Sequence, residues 1–231
     1  MSAAKQNCPV FAIRPQPGFA ATLAAGKEAG LSIAGAPLFE VQPLPWDAPD
    51  PAGIDGLLLG SANALRHGGD ALALYRDKPA HVVGGATADA ARAAGFPIAN
   101  VGEGGLQVVL DALAGSGVTL LRLAGSEHVA LHVPQSVSIV TRCVYETVPL
   151  EMDDPFAEAL HKGGVVMLHS AAAARHFTAE CDRIGLDRRQ IRLAALGPRI
   201  LAAAGEGWKA GRAAPVPRES DLLALVGDMC H

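Results

Sequence analysis

The sequence predicts an α/β protein with two lobes, each a parallel sheet flanked by helices, joined by a two-stranded connector. Short continuous apolar segments alternate with helical segments, a pattern typical of parallel strands covered on both faces. The number of these repeats exceeds what one open sheet usually holds, which favours two sheets. Residues 39–44 (FEVQPL) and 145–150 (YETVPL) share one pattern of aromatic, Glu, two residues, Pro and Leu. Because this pattern occurs twice, we expect the chain to cross between the lobes twice.

The elements of the first half follow from apolar runs and their glycine or proline boundaries. The run at 9–15 predicts a short buried strand, and the helix predicted at 18–29 ends before Gly30. Residues 31–44 are predicted to be extended, with Pro37 and Pro43 limiting them to an edge or linker role. The remaining predicted elements of this half are strands at 54–61, 81–85 and 98–101, and helices at 62–74, 87–94 and 104–113.

The second half repeats the same alternation. A strand at 118–123 precedes a helix from 126 to about 132, and residues 137–148 form a long extended run. Asp153 is placed to cap the helix predicted at 154–161. The remaining predicted elements are strands at 164–170, 191–196 and 213–216, and helices at 171–184, 198–204 and 219–229.

The two related hexapeptides set the predicted lobe boundaries. Lobe one is expected to comprise residues 1–36 and 151–231, and lobe two residues 45–142. Residues 37–44 and 143–150 are the expected connector strands. Paired hinge strands of this kind suggest a cleft that can open and close.

Composition excludes several classes of function. The chain has 231 residues and a net charge of −4 with no basic block, which argues against nucleic acid or a membrane surface as a partner. We find no export signal, no apolar run long enough to span a bilayer and no CxxC pair, so we expect a cytoplasmic protein without a zinc site. We also expect the protein to be a monomer.

The ends of four predicted strands carry small and hydroxyl residues. They read GSAN at 60–63, GGAT at 84–87, HSAA at 169–172 and GPR at 197–199. In open parallel sheets, ligands bind beyond these strand ends, where helix N-termini favour carboxylate or phosphate. The sequence lacks GxGxxG, a P-loop and GxSxG. The residues therefore predict a binding site for an anion without an obvious catalytic dyad.

A series of short motifs, in a fixed order, is similar to a known family. They are RP at 14–15, PLFE at 37–40, LGSANALR at 59–66, VGGATA at 83–88, LR at 121–122, VYET at 144–147, HS at 169–170 and LGPR at 196–199. Together they resemble the uroporphyrinogen-III synthase family over nearly the whole chain.

The resemblance implies a fold, a substrate and a reaction. The implied fold has two α/β lobes, the first discontinuous, joined by two strands. The implied substrate is hydroxymethylbilane, an anionic linear tetrapyrrole with eight carboxylates. The enzyme would remove its hydroxyl, invert the last pyrrole ring through a spiro intermediate and close the macrocycle to uroporphyrinogen III. No cofactor is expected.

The resemblance also implies roles for individual residues. Tyr145 matches a tyrosine of the family and is the candidate catalytic acid, which would protonate the leaving hydroxyl. The implied substrate-binding residues are Arg14, Ser61, Thr87, Arg122, Ser170 and Gly197. Hydroxyl groups would donate hydrogen bonds to substrate carboxylates, and the arginines would pair with them.

Some positions depart from the family pattern, and these keep other functions open. Gly60 stands where the family often has Thr, and Arg199 replaces a frequent small hydroxyl residue. One alternative is a synthase-like protein that binds a tetrapyrrole or a protein without turnover. A two-lobed ligand-binding protein of the periplasmic type would need an export signal, and a flavodoxin-like nucleotide binder is a third alternative.

Overall fold

The computed structural model describes residues 8–230, which form two compact units. Unit 1 comprises residues up to Glu40 and from Val148 onward, and unit 2 comprises Val41–Thr147. The predicted fold class, two helix-flanked sheets with mainly parallel strands, is confirmed.

Unit 1 contains a five-stranded sheet with the order β11-β10-β9-β1-β2, in which every adjacent pair is parallel. Its strands are β1 (Val10–Ala12), β2 (Ile33–Gly35), β9 (Gly164–Leu168), β10 (Ile191–Ala195) and β11 (Ala210–Ala213). Its helices are α1 (Gly18–Glu28), α5 (Asp154–His161), α6 (Ala171–Arg183), α7 (Pro198–Ala203) and α8 (Glu219–Met229).

Successive residues of the central strands of unit 1 enter different cores. Phe11 and Val166 pack with Phe177 of α6 in one cluster. Val10 and Val165 pack with residues of α8 in another. Because side chains alternate across a strand, this sheet is buried on both faces, which explains why its strands are continuously apolar.

Unit 2 contains a six-stranded sheet with the order β3-β8-β7-β4-β5-β6. The strands are β3 (Phe39–Pro43), β4 (Gly56–Leu59), β5 (Ala80–Val83), β6 (Ile98–Gly102), β7 (Thr119–Gly125) and β8 (Ser138–Pro149). The helices are α2 (Asn63–His67), α3 (Gly85–Ala93) and α4 (Leu106–Asp111). The pairs β4–β5, β4–β7, β5–β6 and β7–β8 are parallel.

The two chain segments that pass from one unit to the other belong to β3 and β8, which are neighbours in this sheet. β8 is longer than the connector predicted from the sequence, because it also pairs with β7 from Ser138 to Tyr145. The second passage is therefore the end of a sheet strand.

Three predicted elements differ in the structure. The helix predicted at 62–74 divides into α2 and a 3-10 turn at Asp70–Tyr75, because Gly69 takes a positive φ of 66° between them. The last strand lies at Ala210–Ala213, where it pairs with β10, instead of at 213–216. Residues 126–132 form no helix, and they contribute to the cavity of unit 2.

Candidate functional site

A cavity of about 430 Å³ lies within unit 2, at the carboxyl ends of its parallel strands. The loops after β4, β6 and β7 supply most of its wall, through residues such as Ser61, Gly105 and His128. This is the edge at which open α/β sheets hold their ligands. The unit therefore has a cavity at the place where its topology predicts a binding site.

Arg122 is the most deeply buried charged side chain in the wall of this cavity. It lies on β7 and is 6% exposed. Its Nη2 donates a hydrogen bond of 2.7 Å to the carbonyl oxygen of Val129, whereas its Nε has no partner within the described residues. Burial lowers the pKa of the guanidinium, and the nearby Cys143 thiol opposes this shift.

No Asp or Glu among residues 8–230 forms an ion pair with Arg122. A buried cation without a counter-ion is costly, because it loses hydration that nothing replaces. A carboxylate entering the cavity would supply the missing charge and an acceptor for Nε. Arg122 is thus a buried cation whose Nε has no acceptor among the described residues.

The segment predicted as a helix at 126–132 is held as an irregular loop by side chains around it. Gln107 of α4 donates from Nε2 to the carbonyl oxygen of His132 and accepts from the His132 N–H, both at 2.8 Å. Arg122 binds the middle of the loop at Val129. These bonds satisfy backbone groups that a helix would otherwise pair, so the loop can form a wall of the cavity.

Tyr145 lies on β8, and its ring also borders the cavity. The ring packs against the backbone of Gly125, where an added Cβ would lie 2.7 Å from Cε2 and 3.2 Å from the hydroxyl oxygen of Tyr145. The carbonyl oxygen of Tyr145 accepts a bond of 2.9 Å from the Ser126 N–H. Gly125 is therefore required for the present position of the ring.

Ser61 lines the cavity at the end of β4. Its Oγ accepts a hydrogen bond of 3.2 Å from the N–H of Asn63, the first residue of α2. The preceding Gly60 is closely approached by α4, since an added Cβ would lie 2.8 Å from Cδ1 of Leu106. Gly60, which stands where the family often has Thr, thus leaves room for the side chain of Leu106.

Thr87 occupies a different position from the other unit-2 candidates. It lies in the first turn of α3 and is 5% exposed, and it is not among the residues that border the cavity. The structure therefore brings Ser61, Arg122 and Tyr145 together in one cavity and leaves Thr87 outside its wall.

In unit 1, Arg14 belongs to a polar cluster around Glu219. Arg14 Nη1 lies 3.5 Å from Glu219 Oε2, Thr22 Oγ1 donates to Oε1 at 2.6 Å, and His169 Nε2 lies 3.0 Å from Oε2. Burial would raise the pKa of Glu219, but the hydrogen bonds from His169 and Thr22 and the charge of Arg14 hold it below its usual value. Arg14 is thus already paired within its own unit.

Ser170 and Gly197 stand at helix starts in unit 1. The Oγ of Ser170 accepts a bond of 3.1 Å from Ala173 N–H and caps α6. Gly197 precedes α7 with a φ of −168°, an extended conformation that any residue adopts. A Cβ at Gly197 would meet no atom within 4 Å. Both residues lie at the carboxyl edge of the unit-1 sheet, where the sequence predicts ligand contacts.

His128 is a residue of the cavity wall that the sequence did not single out. Its Nδ1 lies 2.8 Å from the carbonyl oxygen of Gly125 and 3.8 Å from the Sγ of Cys143. The prediction of a helix in this segment concealed that His128 lies three residues after the end of β7. A strand end followed by Gly, Ser and Glu is the signal that could have found it.

Residues 8–230 contain neither a cluster of metal-ligating side chains nor a helix able to span a membrane. No group of three or more His, Cys, Asp or Glu side chains is arranged to hold a metal ion. In the same part of the chain, no helix has both the length and the apolar character needed to cross a bilayer.

The family model and two solved structures that match this chain are all described as uroporphyrinogen-III synthases. Residues 20–224 match the family model described as uroporphyrinogen-III synthase HemD. A uroporphyrinogen-III synthetase from Helicobacter pylori has a TM-score of 0.68 at 15% identity, covering 96% of this chain and 99% of that one. A mutant uroporphyrinogen III synthase from Thermus thermophilus has a TM-score of 0.50 at 16% identity, covering 96% and 98% of the two chains. The search of curated proteins gave no match.

Proposed function

Because this chain belongs to the uroporphyrinogen-III synthase family, we propose that it converts hydroxymethylbilane to uroporphyrinogen III. The reaction is a cyclising loss of water that inverts the terminal pyrrole ring through a spiro intermediate. The single observation in the site that best supports this function is the cavity around Arg122, where a buried cation without a counter-ion faces space for a carboxylate.

The substrate fits this cavity by charge and by shape. Hydroxymethylbilane carries eight carboxylates on apolar pyrrole rings, so a site for it needs cationic donors beside apolar walls. The cavity combines Arg122 with side chains such as Leu106, Leu123 and Leu131. At about 430 Å³ it is small for a whole tetrapyrrole, so we propose that it receives one end of the substrate.

Orientation would supply most of the catalysis. A hydroxymethylpyrrole ionises readily because the pyrrole nitrogen donates electrons, so the enzyme mainly has to select the geometry of ring inversion over direct closure. When the hydroxyl leaves as water, the carbon–oxygen bond breaks and the oxygen takes up one proton. The phenol of Tyr145, at the cavity wall, is the proposed donor of that proton.

Ser61 is proposed to bind a substrate carboxylate beside Arg122, since both border the same cavity. Arg14, Ser170 and Gly197 in unit 1, and Thr87 in unit 2, are proposed as further substrate contacts. Arg14 would have to exchange part of its pairing with Glu219 for a substrate carboxylate. Thr87 would require exposure of a side chain that is now buried.

We further propose that the enzyme acts in the cytoplasm as a monomer. The four cysteines are all free, as expected for a reducing compartment. A net charge of −4 also makes nucleic acid an unsuitable partner.

Analysis of product isomers tests the function. The protein is incubated with freshly prepared hydroxymethylbilane, the product is oxidised, and the porphyrin isomers are separated chromatographically. Uncatalysed closure gives isomer I, which serves as an internal background. Isomer III formed in proportion to the amount of protein is the expected result. Isomer I alone, from a folded sample, would contradict the enzyme and leave the non-catalytic alternative.

A further inference from the structure

A second cavity, of about 310 Å³, lies in unit 1 at the opposite edge of the sheet from the predicted substrate contacts. Its wall includes Pro9 before β1, Gly163 before β9, Gln190 before β10 and Lys209 before β11. All of these precede strands, so the cavity lies at the amino ends of the parallel sheet. Arg14, Ser170 and Gly197 instead follow β1, β9 and β10.

Three cations border this cavity: Lys162, Arg192 and Lys209. No Asp or Glu is among its described lining residues. Within residues 8–230, none of the three cations forms an ion pair with a carboxylate. The cavity therefore concentrates positive charge in a chain whose net charge is −4.

Arg192 is fixed in this position by the strand that carries it. Its neighbours Ile191 and Leu193 are buried in the core shared with α6. Because side chains alternate along a strand, Arg192 projects from the other face, the face of the sheet that packs against α8. There it lies beside Met229 and Cys230 at the cavity wall.

The thiol of Cys230 does not offset this charge. Burial, together with the neighbouring Cys8, raises the pKa of Cys230 to about 12, although Arg192 opposes the shift. Cys230 is thus a neutral thiol near pH 7, and its Sγ lies 3.8 Å from the carbonyl oxygen of Cys8. The positive charge of Lys162, Arg192 and Lys209 is left without compensation from the described wall.

We propose that this cavity is a binding site for a small polyanion bearing phosphate or carboxylate groups, separate from the substrate site. Arg192 would hold the anion with its planar fork of donors, and the two lysines would act as mobile point charges. Since only the folded unit assembles the three cations, bound anion would stabilise unit 1 by mass action. The size of the cavity suits a metabolite smaller than a tetrapyrrole.

The test is an NMR titration of the full-length chain with inorganic phosphate and, separately, with citrate, at constant ionic strength. Saturable shifts at the amides of Gly163, Gly164 and Cys230 are expected. K209Q and R192Q should each weaken the affinity about fivefold. K27Q removes one exposed positive charge from the same unit outside the cavity, and it should leave the affinity unchanged.

Either preference between the two probes supports the site: tighter phosphate binding identifies a phosphate ester as its ligand class, and tighter citrate binding identifies a polycarboxylate. Shifts that do not saturate with either probe would overturn it, as would equal weakening by K27Q and K209Q. Turnover of hydroxymethylbilane by K209Q without added anion should equal that of the wild type. The NMR titration therefore tests the anion site, and turnover tests the synthase function, independently of each other.

Discussion

Arg122 is the buried arginine of the unit-2 cavity, and its guanidinium has no carboxylate partner among residues 8–230. Structural arginines that are buried are normally paired with carboxylates, because the charge is otherwise costly. Arg122 is 6% exposed and pairs only with the Val129 carbonyl among the described residues. Such an arrangement lowers stability unless a ligand uses the charge.

The first prediction separates stability from binding at this residue. R122M removes the unpaired charge and keeps much of the side-chain volume, so the free energy of unfolding should rise or fall by no more than about 1 kcal/mol. KM for hydroxymethylbilane should rise tenfold or more, which corresponds to a loss of roughly 1.4 kcal/mol in binding free energy. Chemical denaturation and steady-state kinetics measure the two effects. R92M, an exposed change in the same unit, is the control. A large loss of unfolding free energy in R122M with an unchanged KM would assign Arg122 a structural role.

The second prediction concerns the proton donor. If Tyr145 protonates the leaving hydroxyl, Y145F should lower kcat about 100-fold with little change in KM. G125A should also lower kcat, because its Cβ would displace the Tyr145 ring that now lies 2.7 Å from that position. In the Y145F background, G125A should lower kcat much less than it does in the wild type. Full additivity of the two changes would contradict the assignment of Tyr145 as the acid.

At the residue scale, the sequence predicted candidate site positions in unit 2, and three of them lie at one cavity, but it did not predict all of their surroundings. Arg122 was singled out by the resemblance to the family, and the structure places it, with Ser61 and Tyr145, at the same cavity. The role of Gly125 could not be predicted, since it depends on a ring that is 20 positions away in the sequence.

Among the elements, the loop at 126–134 is the one most closely tied to the cavity. It has no regular backbone pairing and depends on Gln107 and Arg122 for its shape. Loops held by few bonds open at low free-energy cost. A change at Gln107 should therefore act on the cavity without unfolding the unit.

The third prediction follows from this dependence. Q107A removes both hydrogen bonds to His132, which should speed amide hydrogen exchange in residues 126–134 and raise KM by a factor of about 5, or 1 kcal/mol. Exchange measured by mass spectrometry reports the loop directly. V108A changes an exposed neighbour on the same helix and should affect neither quantity. Unchanged exchange in Q107A would mean that other contacts hold the loop.

The fourth prediction concerns a buried carboxylate in unit 1. Glu180 of α6 is 5% exposed and binds Arg183 at 2.7 Å and the N–H of Met152 at 2.7 Å. The hydrogen bond from Arg183 lowers the pKa of Glu180 below its ordinary value of 4.5, although burial opposes this. A lowered pKa in the folded state means that the carboxylate stabilises the fold above the unfolded-state pKa and loses this effect as pH falls.

E180Q should therefore reduce the free energy of unfolding at pH 7 by about 1–3 kcal/mol. The difference from the wild type should be constant at neutral pH and should narrow as pH falls below 4.5. Urea denaturation across this range measures it, with the exposed E158Q as the control. A difference that widens in acid would show that the sign of the pKa shift is wrong.

Helices and strands could be predicted where neighbouring residues in the sequence determine where they begin and end. α5 and α8 have the predicted bounds, and Asp153 caps α5 by accepting a bond from Phe156 N–H. The segment at 126–132 has helical composition, but Gln107 and Arg122 hold it in another form. Gln107 and Arg122 lie on α4 and β7, outside this segment, so its local sequence pattern could not predict the irregular loop.

For the whole molecule, each hydrophobic cluster belongs to one unit. The two clusters of unit 2 lie within residues 41–147, and those of unit 1 lie outside this range. A unit with its own core can fold independently. This property makes unit 2 a testable fragment.

The fifth prediction is that residues 41–147, expressed alone, fold cooperatively. The fragment keeps nearly all of β8 and the whole cavity around Arg122. Circular dichroism and a single urea transition should show native-like structure, with a slope of roughly 1–3 kcal/mol/M. A broad, non-cooperative transition would show that its core requires unit 1.

The fold class of the molecule could be predicted because strand and helix alternation is encoded locally and two passages are marked by similar hexapeptides. The pairing of β8 (Ser138–Pro149) with β7 could not be predicted, because it depends on the register between the two strands. Likewise, the cavity of unit 1 combines residues from both ends of the chain, and no sequence window contains them.

We propose above that the cavity around Arg122 binds the substrate. The most direct test of this proposal is an NMR titration of the full-length protein with a linear tetrapyrrole that lacks the hydroxyl and cannot react. We expect saturable shifts at the amides of Ser61, Gly125 and His128, and an affinity at least tenfold weaker in R122M. Saturable binding that leaves these amides unshifted, or that R122M does not weaken, would contradict it.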